Sequence, residues 1–439
     1  MGQSQNTLPR QTHSVAVTRL PGNFTIPVSY NIAYSYRTDK PDPLIVNIPQ
    51  NIENLRTSNP DEYIRQTVYL INSNSKNDFE KVKKAHDLVA LVLSYDAESY
   101  WAKTTPNQGY QNVLKTGLSV CAGYANVFKR FCDELKIPCI VVSGYARSVG
   151  VSPTAVDKPN KPNHAWNIVT INGVNYFVEC TWDSGYMEGK ISKKRYQTDY
   201  LFIKPKYLIY SHFPTNASHQ LLASPMSEAQ FSVLPPLKPK FFYLVDNPSI
   251  SLRKKINVSN KMAFEYTLKD GYYLFYTINE MKNDKEIKLE NRIFVQSKGS
   301  RHIAHFSFPS AGQYKINIFW REINASEGFG CGEFIIKATS ANKQEFPITN
   351  YNSTAKNLEI KSPIEMPLRR RRSYSFRIKV ENKNRAAIIH GNTFIQLTKK
   401  TDGTFYKDFL IPNNISELLL GIADAGKNSY EIIARYRVE

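Results

Sequence analysis

Cys121 stands in the run Gly-Leu-Ser-Val-Cys-Ala-Gly-Tyr-Ala, at the start of an amphipathic helical pattern. Further along come His164, in Asn-His-Ala-Trp, and a segment that ends Val-Glu-Cys-Thr-Trp-Asp. A thiol at a helix start, then a histidine and an acid on neighbouring strands, is the arrangement of a cysteine nucleophile, its base and the group that orients the base.

Ser119 is a good N-cap and would place Cys121 in the first turn of the helix. Unpaired amides and the helix dipole there favour a thiolate over a thiol. Ala122 and Gly123 are small enough for a substrate backbone to come close, and the Cys121 amide could donate to a developing oxyanion. Cys132, Cys139 and Cys331 lie in apolar runs and read as small buried hydrophobes. If Asn172-Gly173 is a two-residue turn, Ile171 faces Val174, Trp166 faces Glu179 and His164 faces Thr181. Side chains directly opposite share a sheet face, so His164, Trp166, Glu179 and Asp183 project together. Either acid could hold the imidazole; parity does not choose. The plainer alternative is a hairpin with polar residues turned to water, but a tryptophan among a histidine and two acids makes an odd solvent face.

The elements that must carry these residues follow from periodicity and caps. Asn59 and Pro60 open a helix with Ile64, Val68 and Ile71 on one face. Asn77 opens a second, with Phe79, Val82, Val89 and Leu93 inward; His86 falls in this pattern as a packed histidine. A third runs from Ser119 past Ala125, Phe128, Cys132 and Leu135 until Pro138 closes it. Cys139 to Ala146 reads as a buried strand, 147–163 as an exposed proline-bearing loop, and Val28 to Tyr36 as a strand. Helices first and strands after predict an α+β domain. Beyond about residue 225, Pro235, Pro236 and Pro239 suggest a linker. Two sets of short alternating runs then predict two immunoglobulin-like β-sandwiches. The expected divisions are an N-terminal extension over 1–57, the α+β core over 58–225, and sandwiches over 232–340 and 345–439.

Composition narrows the class. A length of 439 residues suits roughly three domains. The net charge of +19 is spread along the chain except at Arg369, Arg370, Arg371 and Arg372. Those four read as a solvated turn, or as a contact for an acidic protein or anionic surface. No nucleic-acid reading module is present. The five cysteines are odd in number and lack metal-ligand spacing, so a disulfide framework and a zinc site are not expected. No EF-hand-like loop occurs, and no cofactor or metal is expected. The first residues hold no apolar run and no myristoylation pattern, and no segment is long and apolar enough to span a membrane. The expectation is a reduced compartment, cytoplasmic or reached by a signal-independent route.

Val-Cys-Ala-Gly-Tyr-Ala, Val-Ser-Gly-Tyr-Ala, Asn-His-Ala-Trp-Asn and the Thr-Trp-Asp ending together resemble the transglutaminase-like, papain-related core, most of all that of the kyphoscoliosis peptidase group. The stretch from Asp199-Tyr-Leu-Phe-Ile-Lys-Pro through Ser211-His-Phe-Pro to Gln220-Leu-Leu is similar to the aromatic segment that follows the core in that group. The resemblance covers about 60–225 and extends more weakly to the sandwiches. It implies helices packed on an antiparallel sheet, Cys121 as nucleophile, His164 as base, and the acid at 179. The family usually has Asp there, so Glu179 is a departure, with Asp183 the alternative. Cys180 is expected to be structural. Trp101 could supply an oxyanion donor, as a tryptophan does in true transglutaminases, and Trp166 could do so or support the histidine. The implied activity is a thiol enzyme on protein amides: a peptidase first, otherwise a deamidase or transglutaminase acting on glutamine. The competing reading is an inactive scaffold that binds protein partners through its sandwiches.

Overall fold

The computed structural model describes residues 28–104, 106–148, 161–249, 252–283, 285–349, 358–427 and 429–439. Val28–Ser35 forms helix α1, not a strand. Tyr30 and Ala33 are buried three residues apart, so one helical face meets the core, a spacing that overrides the local aromatic content. Helix α2, Pro60–Ser73, starts where the Asn59 side chain accepts from the Glu62 amide. Asn77 does the same for Glu80 at the start of α3, Asp78–Val92. The short helix α4 spans Ala97–Ala102 and the long helix α5 spans Cys121–Glu134. Ile64, Val68, Ile71, Val82, Val89, Phe128 and Cys132 share one apolar cluster, to which Tyr30, Ile45 and Ile52 also contribute.

The helices pack on an antiparallel sheet. Its strands are β1, Cys139–Ala146, β2, His164–Ile171, β3, Val174–Val178, and, after a short helix α6 at Cys180–Ser184 and a two-stranded ribbon of β4, Gly185–Glu188, and β5, Ile191–Lys194, the edge strand β6, His212–Pro214. Among the described residues the spatial order is β3-β2-β1-β6. Asn172 and Gly173 both take positive φ, 51° and 75°, the conformation a tight two-residue hairpin needs. Ile171 pairs with Val174 and the register holds to Asn167 opposite Val178. Pairing stops there: Glu179 becomes the N-cap of α6, so Trp166–Glu179 and His164–Thr181 are not cross-strand pairs. β1 is half-buried rather than buried, since Ile140 and Val141, which point to opposite faces, are both exposed. Most of the 147–163 loop lies outside the described residues.

After the core come two stacked-sheet units. In the first, strands 255–258, 329–338, 312–322, 272–282 and 285–288 form one sheet, and 293–298, 301–307, 261–268 and 245–246 the other. In the second the sheets are 348–349, 431–437, 417–423, 385–390, 393–396 and 359–362, 373–379, 404–410, 398–399. The proline-bearing segment before them is not a loose tether. Leu234, Pro235, Pro236 and Leu237 are buried, and Leu237 bridges to Gly332. Phe213 of β6 meets Phe231 with ring centroids 5.0 Å apart, so the core and the first sandwich share an apolar cluster. Arg369 to Arg372 lie on an exposed turn, where Arg369 pairs with Glu439 and Arg370 donates to the Ile415 carbonyl. Among the described residues no helix is long and apolar enough to cross a membrane.

Candidate active site

Cys121 is the first residue of α5 and is half-buried. The N-cap is Val120, not Ser119, and it offers no side-chain acceptor. Gln108 takes that role from outside the helix. Its Oε1 accepts from the Val120 amide at 3.3 Å, the Gly123 amide at 3.1 Å and the Ser119 hydroxyl at 2.7 Å. Nothing in helical periodicity could have flagged a cap supplied by a loop glutamine. Gly123 is required at this junction: a Cβ there would meet Ser119 Oγ at 2.0 Å and Val113 Cγ2 at 2.7 Å. The far side of the helix is tied to the sheet by Asn167, whose amide donates to the Ala125 carbonyl at 3.1 Å.

That tie sets α5 against the start of β2 and brings Cys121 and His164 close enough that each shifts the other's pKa. Burial pushes the Cys121 thiol up, but His164 and the donating Ala165 amide outweigh it and bring the thiol below its ordinary 9.0. Burial likewise opposes the charge on His164, while Cys121 and Glu179 hold its pKa well above the ordinary histidine value. The two directions agree on a thiolate–imidazolium pair. On the other side of the ring, Nε2 lies 3.4 Å from Glu179 Oε1, an ion-pair distance beyond a well-formed hydrogen bond. With Nε2 facing Glu179, Nδ1 is the nitrogen available to the thiol. Glu179 is itself held: Oε1 accepts from the Thr181 amide at 2.9 Å and Oε2 from the Trp182 amide at 2.7 Å.

Asp183 does not reach His164 as the alternative orienter would. It is buried against His86, with Oδ2 3.0 Å from His86 Nε2, and it accepts from the Tyr200 amide. His86 Nδ1 lies 3.2 Å from Asp87, which in turn meets Lys83 and the Tyr196 hydroxyl. The helical pattern marked His86 as packed but gave no sign of its acid partners. Trp166 lies behind the base, ring centroids 6.0 Å apart at 29°. Trp101 is half-exposed, at the far end of a run of rings, Tyr95–Tyr100–Trp101, that begins beside Cys121. The remaining four cysteines are buried, and burial pushes Cys132 and Cys180 well up and Cys331 to about 12.

Sequence comparison identifies the domains. Residues 65–181 match the model of the transglutaminase-like superfamily, and residues 228–349 that of the KY-like, immunoglobulin-like domain. The mouse protein named kyphoscoliosis peptidase is 27% identical over 248 residues, 55% of this chain and 36% of its own length. Hillarin of Drosophila melanogaster is 23% identical over 233 residues, 46% of this chain and 28% of its own. The Lim and transglutaminase domain protein ltd-1 of Caenorhabditis elegans is 30% identical over 130 residues, 27% and 18%. The chain thus spans about a third or less of the length of these curated relatives. The chain carries a transglutaminase-like domain followed by a KY-like, immunoglobulin-like one, and over 55% of its length it is similar to kyphoscoliosis peptidase.

Proposed function

We propose that the chain is a thiol enzyme that opens protein amides through an acyl-enzyme on Cys121. The observation that carries this is the electrostatic pairing of Cys121 with His164, with a carboxylate, Glu179, on Nε2 of the same ring. The Cys121 thiolate attacks the amide carbonyl, and His164 passes its proton to the leaving amine. As the first residue of α5, Cys121 has an N–H with no acceptor within the helix, a donor for the oxyanion. Water or an amine then releases the acyl group. Peptide-bond cleavage ranks first because a relative carries the name peptidase; glutamine deamidation or transamidation uses the same steps. A non-catalytic scaffold is the second reading, favoured by the long His164–Glu179 separation and by amides occupying both Glu179 oxygens.

The test is to mix the protein with an unfolded polypeptide, quench with acid and weigh the peptide bearing Cys121. An adduct with the mass of an N-terminal fragment is the expected result and marks a peptidase. An adduct with the mass of the intact polypeptide, less ammonia, marks attack on glutamine. No adduct with any polypeptide, from a thiol of ordinary reactivity, would leave the scaffold.

A further inference from the structure

Glu179 is an incomplete orienter for His164. Both of its oxygens hold backbone amides, and its Oε1 stays 3.4 Å from Nε2. His212, which the reaction above does not use, lies on the same side of the ring. Strand β6 brings it there by pairing with β1, Ala146 opposite His212. It is buried, its ring centroid is 5.2 Å from that of His164, and it also meets Trp182 at 4.6 Å, Trp166 at 5.0 Å and Tyr200 at 5.5 Å. One nitrogen of each histidine and an oxygen of Glu179 lie within 4.8 Å of one another.

Ser211 Oγ lies 2.9 Å from His212 Nδ1 and 3.2 Å from the Leu208 carbonyl. If the hydroxyl gives its one proton to that carbonyl, it accepts from Nδ1–H and leaves Nε2 as the bare nitrogen, the tautomer on which the inference rests. That Nε2 is buried without a hydrogen-bond partner among the described residues, and so is His164 Nε2. The two nitrogens are not bonded to one another as they stand, so a bare His212 Nε2 is an acceptor that a small rotation of either ring would bring to the His164 N–H.

We infer that His212 is a positioning residue of this site, a neutral imidazole that braces the His164 ring and offers its Nε2 as a second acceptor beside Glu179. The inference rests on the Cys121–His164 reading above. Charge on His212 would repel the His164 imidazolium, and burial together with that repulsion keeps its pKa well below the ordinary value. The titratable groups facing the pair are Cys121 from α5, Glu179 at the start of α6, Tyr200 and His212, with Tyr95 beside the thiol.

The experiment compares His212→Phe, which keeps a ring and loses the lone pair, with His212→Gln, which keeps an acceptor. The readout is the rate of Cys121 alkylation against pH, with thermal unfolding measured alongside. His212→Phe is expected to remain folded while the alkylation midpoint rises by about one pH unit, a roughly tenfold loss of thiolate stabilisation. His212→Gln should recover most of it. A wild-type midpoint in His212→Phe would overturn the inference, as would equal losses in both variants accompanied by equal falls in thermal stability. So would a wild-type midpoint that moves on treatment with a chelator, which would make His164, Glu179 and His212 metal ligands instead. An ordinary thiol midpoint in the wild-type protein would be a different failure, that of the thiol-enzyme reading itself.

Discussion

His164→Ala is expected to lower amide turnover by roughly 10³-fold, the scale of a lost general acid–base, while leaving KM close to wild type. The alanine removes both the group that draws the proton from Cys121 and the group that delivers it to the leaving amine. Glu179 variants refine the same prediction. Three N–H groups converge on that carboxylate: Thr181, Trp182 and His164. Gln has one acceptor oxygen and must release at least one of the three, so Glu179→Gln should cost kcat roughly tenfold or more. Glu179→Asp keeps both oxygens, and aspartate is a preferred N-cap residue, so it should retain activity or improve it. Turnover assays on the three variants check this. A Glu179→Gln enzyme as active as wild type would remove Glu179 from the mechanism.

The largest stability effect is expected at Asp183. Asp183→Ala leaves the buried His86 ring and the Tyr200 amide without their acceptor, and breaking a buried pair of this kind costs about 3–5 kcal/mol. An exposed pair such as Lys129–Asp133 should cost well under about 1 kcal/mol when either member is removed. The discriminating readout is the folded fraction: thermal or urea unfolding should shift strongly, while alkylation of the Cys121 that remains folded keeps its pH midpoint. If Asp183→Ala leaves unfolding unchanged and removes the activated thiol, Asp183 rather than Glu179 serves the base.

The contrast between the two acids shows what was legible in the chain. Asn59 and Asn77 announced their helices because a cap is local chemistry, and Asn172-Gly173 announced its hairpin because few residue pairs accept two positive φ values. Parity along the hairpin put Glu179 and Asp183 on the face of His164, and strand geometry could not separate them. The separation comes from the turn into α6 after Val178, which curls Glu179 back toward the ring and carries Asp183 away to His86. The partners that sequence reading missed all arrive from elsewhere in the chain. Gln108 reaches the start of α5 from a preceding loop, His86 comes from α3, and His212 comes from an edge strand whose place in the sheet no local pattern encodes. Val28 to Tyr36 misled for the opposite reason: its aromatic residues suit a strand, and only the helices it packs against decide the matter.

The central claim is that Cys121 rests as a thiolate paired with the His164 imidazolium. Because the Cys121 pKa is lowered and that of His164 raised, the pair forms as pH rises through the first and is lost as pH rises through the second, so its window opens below the ordinary thiol value of 9.0 and closes near the raised histidine value of about 10. The most direct measurement is iodoacetamide alkylation of the native protein across this range, with each of the five cysteines followed separately by mass spectrometry. The expected result is that Cys121 reacts at least about tenfold faster than Cys132, Cys139, Cys180 or Cys331 at neutral pH, with a midpoint below the ordinary thiol value of 9.0. A Cys121 that alkylates no faster than the buried four, or whose midpoint lies at or above that value, would contradict it.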